Sequence, residues 1–148
     1  MTLENLLAIH KLQAFTPNRE GVQRLLAAAR RNFADAQLKA LSADNRFDAA
    51  YKAIMQCAMI GLWANGYRTS TNQPGHHQTA LQALPKTMSL AQDEVIVLDA
   101  LRKQRNLNDY EGDAVTDAAV VECVAQAERL IQHTQAWLAA NRPDLSAS

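Results

Sequence analysis

A chain of 148 residues is long enough for one domain that buries roughly 68–70% of its unfolded surface, and too short for a second domain of ordinary size. Lys and Arg together number 15, as do Asp and Glu, so the formal net charge is zero and no global basic field draws the molecule to nucleic acid or to an acidic membrane; any such contact must come from a local patch. Hydrophobic residues make up 48% of the chain against only 5 Gly and 4 Pro, which excludes disordered, collagen-like and loop-dominated chains.

Alanine, leucine and glutamine are abundant and β-branched residues few, and side chains of the former kind lose little rotamer freedom in a helix. The expected class is therefore all-α. Leu3, Leu6, Leu7 and Ile9 give the apolar side of a first short helix over about residues 3–14. Thr16-Pro17 reads as a start signal, threonine as cap and proline at the first helical position. From there Val22, Leu25, Leu26, Ala29, Phe33, Ala36 and Ala40 recur at helical spacing to about Leu41.

Ser42-Ala43-Asp44 interrupts that pattern, with Asp44 placed to cap a second long helix whose stripe is Phe47, Ala50, Tyr51, Ile54, Met55, Ala58 and Leu62. Asn65-Gly66 should end it, because glycine adopts the left-handed conformation at low cost. Residues 67–75 are polar and turn-rich, the longest expected loop, and a short helix over about 76–84 should stop before Pro85. Ser89 and Gln92 have the spacing of a capping box for a helix carrying Val95, Val97, Leu98 and Leu101 to about Asn106. Gly112 marks a turn, and a last helix over about 114–141, with Val121, Val124, Leu130, Ile131, Trp137 and Leu138, ends at Pro143. The whole reads as one domain over 1–148: an up-and-down bundle of four to five main helices.

Cys57 and Cys123, far apart and among apolar or small residues, read as buried thiols rather than a disulfide. The start of the chain lacks a basic stretch followed by an apolar run, and no segment approaches about 18 uncharged apolar residues. The expected location is cytoplasmic, with no membrane partner. Trp63 and Trp137 lie beside apolar stripes and are expected in the core or at a subunit interface. His10 and His133 fall on helix surfaces and carry no signal.

Chemistry concentrates in Arg102-Lys103-Gln104-Arg105-Asn106-Leu107-Asn108-Asp109-Tyr110. Arg105 lies about 40° around the helix from Leu101, on the core-facing side, and Asp109 joins it on that face if the helix continues. Two readings of this pair stand side by side. In one it is a buried ion pair that fixes a helix end. In the other Arg105, Asn106, Asp109 and Tyr110 form a polar cluster for phosphate, with Arg102 and Lys103 adding charge. His76-His77 diverge by about 100° on a helix, so they cannot hold one ion from a single face, and no Cys or His spacing supplies further ligands. No metal or cofactor is expected.

Phe47-Asp48-Ala49-Ala50-Tyr51, Gly66-Tyr67-Arg68, Gly75-His76-His77 and Arg105-Asn106 with Asp109-Tyr110, in that order, resemble the HEPN domain (higher eukaryotes and prokaryotes nucleotide-binding) over roughly residues 18–140. The resemblance implies a homodimeric helical bundle, often paired with a nucleotidyltransferase antitoxin, and in many members metal-independent RNA cleavage at a composite site between two protomers. Arg105 and Asn106 match the arginine and polar residue of the family's catalytic motif. Its histidine has no counterpart: four to six intervening residues past Arg105 lie Tyr110, Glu111 and Gly112. The implied function is interaction with RNA or nucleotides, as a toxin–antitoxin or defence component with weak or no endoribonuclease activity. His77 could supply an imidazole if its loop folds over the Arg105 cluster. The alternative is a non-catalytic dimeric scaffold.

Overall fold

The computed structural model describes residues 1–147. In chain order the elements are α1 (Leu3–Ala8), β1 (Leu12–Ala14), α2 (Arg19–Ala36), α3 (Ala43–Ala64), β2 (Tyr67–Thr69), α4 (His76–Gln82), α5 (Leu84–Thr87), α6 (Gln92–Glu111) and α7 (Asp117–Asn141). The architecture is an all-α bundle built on four long helices, α2, α3, α6 and α7.

Successive long helices run in opposite directions. Arg46, at the start of α3, donates from Nε to the Ala36 carbonyl at the end of α2. Gly61, near the end of α3, packs on Thr87 and Met88 just ahead of α6, whereas Arg105, far along α6, lies over Tyr51 of α3. Glu94 near the start of α6 pairs with Arg129 of α7 at 3.6 Å, completing the up-and-down order. The parallel helices α3 and α7 meet along their length, from Phe47 beside Cys123 to the Ala64 carbonyl, which accepts from Arg142 Nη1.

Helix α3 is the axis of the core. More than half of its residues are buried, including Phe47, Ala50, Ile54, Cys57 and Ile60 at 0% exposure. A helix apolar around most of its circumference is stable only when neighbours cover it, and α2 and α7 do so here. Both cysteines are buried free thiols, and burial pushes each up to about 12. Trp63 and Trp137 are half-buried against the core.

Several helix ends differ from the sequence expectation. The first helix stops at Ala8 rather than near residue 14, because His10 turns left-handed (φ 65°) and residues 12–14 pair antiparallel with 67–69, Leu12 opposite Thr69. Part of the expected 67–75 loop is thus a strand. Its pairing partner is more than fifty residues away, beyond the reach of local pattern. Asn18, not Thr16, caps α2, its Oδ1 accepting from Gly21 N at 2.7 Å, and α2 ends at Ala36 instead of Leu41. Ser42, not Asp44, caps α3 through Oγ, leaving Asp44 to accept from the Val115 amide at 3.2 Å.

The expected 76–84 helix divides into α4 and α5, and Pro85 lies in the first turn of α5 instead of ending α4, since proline in a helix's first turn forfeits no hydrogen bond. Ser89 adopts φ 56° and forms no capping box; Ala91 occupies the cap of α6. Helix α6 continues past Asn106 to Glu111, where Gly112 (φ 74°) closes it, and Thr116 caps α7. Val121, expected on the apolar side of the last helix, is 68% exposed.

Candidate functional site

The added turn of α6 decides the geometry at its end. With the helix unbroken, Arg105 and Asp109 share a face and form an ion pair, Arg105 Nε lying 2.9 Å from Asp109 Oδ2. About a third of each side chain stays exposed, at 30% and 32%, so the pair is at a surface and not sealed in the core. The Arg105 guanidinium sits 5.6 Å from the centre of the Tyr51 ring on α3, within the range where the negative face of an aromatic ring attracts a cation.

Tyr51 is buried and joins Arg105 to the short helix α4. Its hydroxyl lies 3.2 Å from His77 Nδ1, a hydrogen bond whose donor is set by the imidazole tautomer. The rings of His76 and His77 meet edge to face at 4.6 Å. Glycine at residue 75 allows this approach, since its φ of 78° turns the loop directly into α4. Thus residues 51, 77 and 105, from three helices, converge.

They line one cleft of about 510 Å³ together with Asp48, Lys52, Met55, Gln56 and Met59 of α3 and Leu25 of α2. The α3 residues follow the spacing i, i+3, i+4, i+7, i+8, i+11 on a single helix face, where Asp48 and Lys52 are exposed, Gln56 and Met59 half-buried, and Tyr51 and Met55 buried at the floor. Asp48 and Lys52 stand exposed at one end beside Arg105. Leu25, Met55 and Met59 make the other end apolar. Gln56 Oε1 accepts from Asn32 Nδ2 of α2 at 2.9 Å, tying the wall in place.

Burial and nearby cations set the protonation states. Burial, then His76, Arg105 and Arg102, hold His77 down at about 4, so its ring is neutral at physiological pH. Burial pushes the Tyr51 phenol up to about 12, outweighing the pull of Arg105 and Arg102, and it keeps its proton. The Asp48 carboxyl is raised, first by burial and then by Asp109.

No protein-family model matches the chain, and neither does any curated protein.

Of the residues singled out in the sequence, Arg105 and His77 line the cleft, and Asp109 reaches it through its bond to Arg105. Asn106 is half-buried outside the lining, and Tyr110, in the last turn of α6, is 79% exposed. Arg102 is bound to Asp99 at 2.8 Å and acts on Tyr51 and His77 only through its field. Lys103 also reaches toward Asp99, at 3.6 Å, and lines a different hollow with Gln82, Val95 and Ile96. Asp48, Lys52, Gln56 and Met59 were not singled out. Their signal was present: a polar residue every fourth position beside Tyr51 and Met55, a composition that a covered helix face does not tolerate. Among the described residues no group of three or more His, Cys, Asp or Glu is arranged to hold a metal, and no helix is long and apolar enough to cross a membrane.

Proposed function

We propose that this cleft binds RNA, or a nucleotide, with phosphate at the Arg105 and Lys52 end and a base against Leu25, Met55 and Met59. The observation that carries this reading is the convergence of Arg105, Tyr51 and His77 from three helices on a groove with one cationic and one apolar end. Asp109 Oδ2 lies nearest Arg105 Nε, and among the described residues no hydrogen bond engages the two terminal nitrogens, which remain as donors for a phosphate. Such a bipolar groove suits an amphiphilic anion, which a nucleotide is.

Turnover is slow or absent in this reading. Cleavage by a 2′-hydroxyl needs a general acid or base that changes charge near neutral pH, and His77, at about 4, does not. The HEPN resemblance supports the same assignment and carries with it a homodimer, a toxin–antitoxin or defence role, and a nucleotidyltransferase antitoxin as partner; the expected cytoplasmic location fits that role. A second reading, a dimeric interaction module, is favoured by the outer side of α6, where Ile96, Leu107 and Tyr110 are exposed at 61%, 44% and 79% on one stripe with Lys103.

The test is fluorescence anisotropy with a labelled single-stranded RNA over a series of salt concentrations. Arg105→Ala should weaken binding by about tenfold and lower the salt slope by about one charge, with the thermal midpoint nearly unchanged because a surface ion pair at i, i+4 is worth at most about 0.5 kcal/mol. Equal binding by wild type and Arg105→Ala would overturn the assignment. A variant that turns monomeric without losing RNA would favour the interaction module.

A further inference from the structure

The outer surface of α6 carries a pattern of its own. Ile96, Ala100, Lys103, Leu107 and Tyr110 are all exposed and follow the spacing i, i+4, i+7, i+11, i+14. That is the period of a helix seam packed against another helix. Helix α6 turns Val95, Leu98 and Leu101 inward and meets α3, α4 and α5 within the bundle, so the seam is left for a partner from outside the chain.

Charge and shape choose that partner. Lys103 is the single charge in the seam, and a parallel, in-register second copy would set it against itself, a like-charge contact. An antiparallel copy, related by a two-fold axis midway between residues 101 and 102, avoids this. It places Leu107 against the partner subunit's Ile96 and lays the stem of Lys103 over the partner subunit's Ala100, where a small side chain leaves room. The Lys103 ammonium then meets the partner's Asp99, a carboxylate at the edge of this face that already lies 3.6 Å from Lys103 within each chain. Tyr110, 79% exposed, comes opposite residue 93 of the other copy, and there the surface is hollow. The hollow, of about 340 Å³, lies between Gln82 of α4 and Gln92, Val95, Ile96 and Asp99 of α6. Its apolar floor suits the ring, and the oxygens of its rim can accept from the hydroxyl.

We infer that this face of α6 binds a second copy of the chain as an antiparallel helix pair, with Tyr110 of each copy seated in the other's hollow beside α4. Such a contact is self-complementary, each copy giving and receiving the same groups. Arg105 lies about 180° around α6 from the seam. The two clefts of this dimer therefore open away from each other and each works alone, unlike the composite site that the HEPN resemblance implies. The inference rests on the dimeric reading of α6 given above, not on the nucleic-acid reading of the cleft.

Sedimentation velocity over about 1–100 μM, with melting curves to show that each variant is folded, tests the face. Wild type should pass from monomer to dimer in that range. Leu107→Glu and Tyr110→Ala should each raise the dissociation constant by at least about tenfold, because every change occurs twice across the axis. Orientation is read by oxidative cross-linking, for which both native cysteines are too buried to interfere. Ile96→Cys protein should join to Leu107→Cys protein, and neither to itself. A monomeric wild type, a Leu107→Glu protein that stays dimeric, or Ile96→Cys joining to itself would each overturn the inference. Anisotropy with labelled RNA on the monomeric Leu107→Glu protein checks that the clefts are separate: affinity should match wild type, and its loss would show a composite site and sink the proposed geometry. If wild type binds no RNA, the nucleic-acid reading falls, while mass and cross-linking still decide this one.

Discussion

On one face of α3, Phe47, Ala50, Ile54, Cys57 and Gly61 follow one another at helical spacing with no exposed surface on any side chain; on the opposite face Asp48, Tyr51, Lys52, Met55, Gln56 and Met59 line an open cleft. The same helix therefore serves as core and as site. The packed face has no polar side chain, and at Gly61 its backbone comes so close to Thr87 and Met88 that a methyl group would crowd them. The open face mixes charges, amide and apolar groups, which is costly to cover and useful to leave free. A second hollow, between α6 and α7, makes the contrast sharper. It is about 360 Å³, yet its charges satisfy each other: Arg129 pairs with Glu94, and His133 Nε2 lies 2.6 Å from the Met88 carbonyl. Unused polar capacity, more than volume, distinguishes the α3 cleft.

The packed face should be the more sensitive to truncation. Phe47→Ala removes a fully buried ring at the crossing of α3 and α7 and should cost about 3–5 kcal/mol in chemical denaturation. A loss below about 1 kcal/mol would mean that the two faces are not as unlike as their burial indicates. Gly61→Ala is a smaller probe of the same face. A methyl group there would stand 2.8 Å from Thr87 Oγ1 and 3.2 Å from Thr87 Cβ and Met88 Cγ. The crowding, typically about 1–3 kcal/mol, exceeds the helix-propensity gain of about 1 kcal/mol from replacing glycine. The expected net loss is about 1 kcal/mol. Because Thr87 Oγ1 is buried without a hydrogen-bond partner, adding Thr87→Ala should recover most of that loss, read as a restored melting temperature.

The open face should respond to pH instead. Burial keeps the folded His77 neutral down to about 4, whereas the unfolded imidazole takes up a proton near 6.5. Between those values the unfolded state binds more protons, so stability present above pH 6.5 is lost as pH falls toward 4. Asp48, raised in the folded state, works in the opposite direction at the lower end of that window. The difference between wild type and His77→Gln isolates the imidazole: the variant should lose less stability on acidification, by about 1 kcal/mol once partial exposure is allowed for. Parallel acid-denaturation curves for the two proteins would show that His77 is not held neutral by the cleft.

The long helices were legible because each carries a full apolar stripe over many turns, and Gly66 and Gly112 sit where left-handed ends are needed. Their caps were less so. Asn18 and Ser42 lie within two residues of Thr16 and Asp44, and all four side chains can accept a first-turn amide, so local sequence does not choose among them. The Arg105–Asp109 pair followed from four-residue spacing, but its place over Tyr51 did not. Tyr51 and Met55 look like core in the sequence, and Tyr51 is indeed buried; its second role appears only because α4 and α6 leave a gap over that face.

Composition and period by themselves determined an all-α chain with four long helices, since side-chain entropy and apolar spacing act over a few turns and need no distant partner. Tertiary structure decided what those signals cannot contain. It paired residues 12–14 with 67–69, and it brought His77 within reach of Tyr51 and Arg105. It also left one side of α3 partly open. Each of these depends on segments far apart along the chain meeting in space, and the free energy that holds them there comes from burying the opposite face of α3, not from the residues that line the cleft.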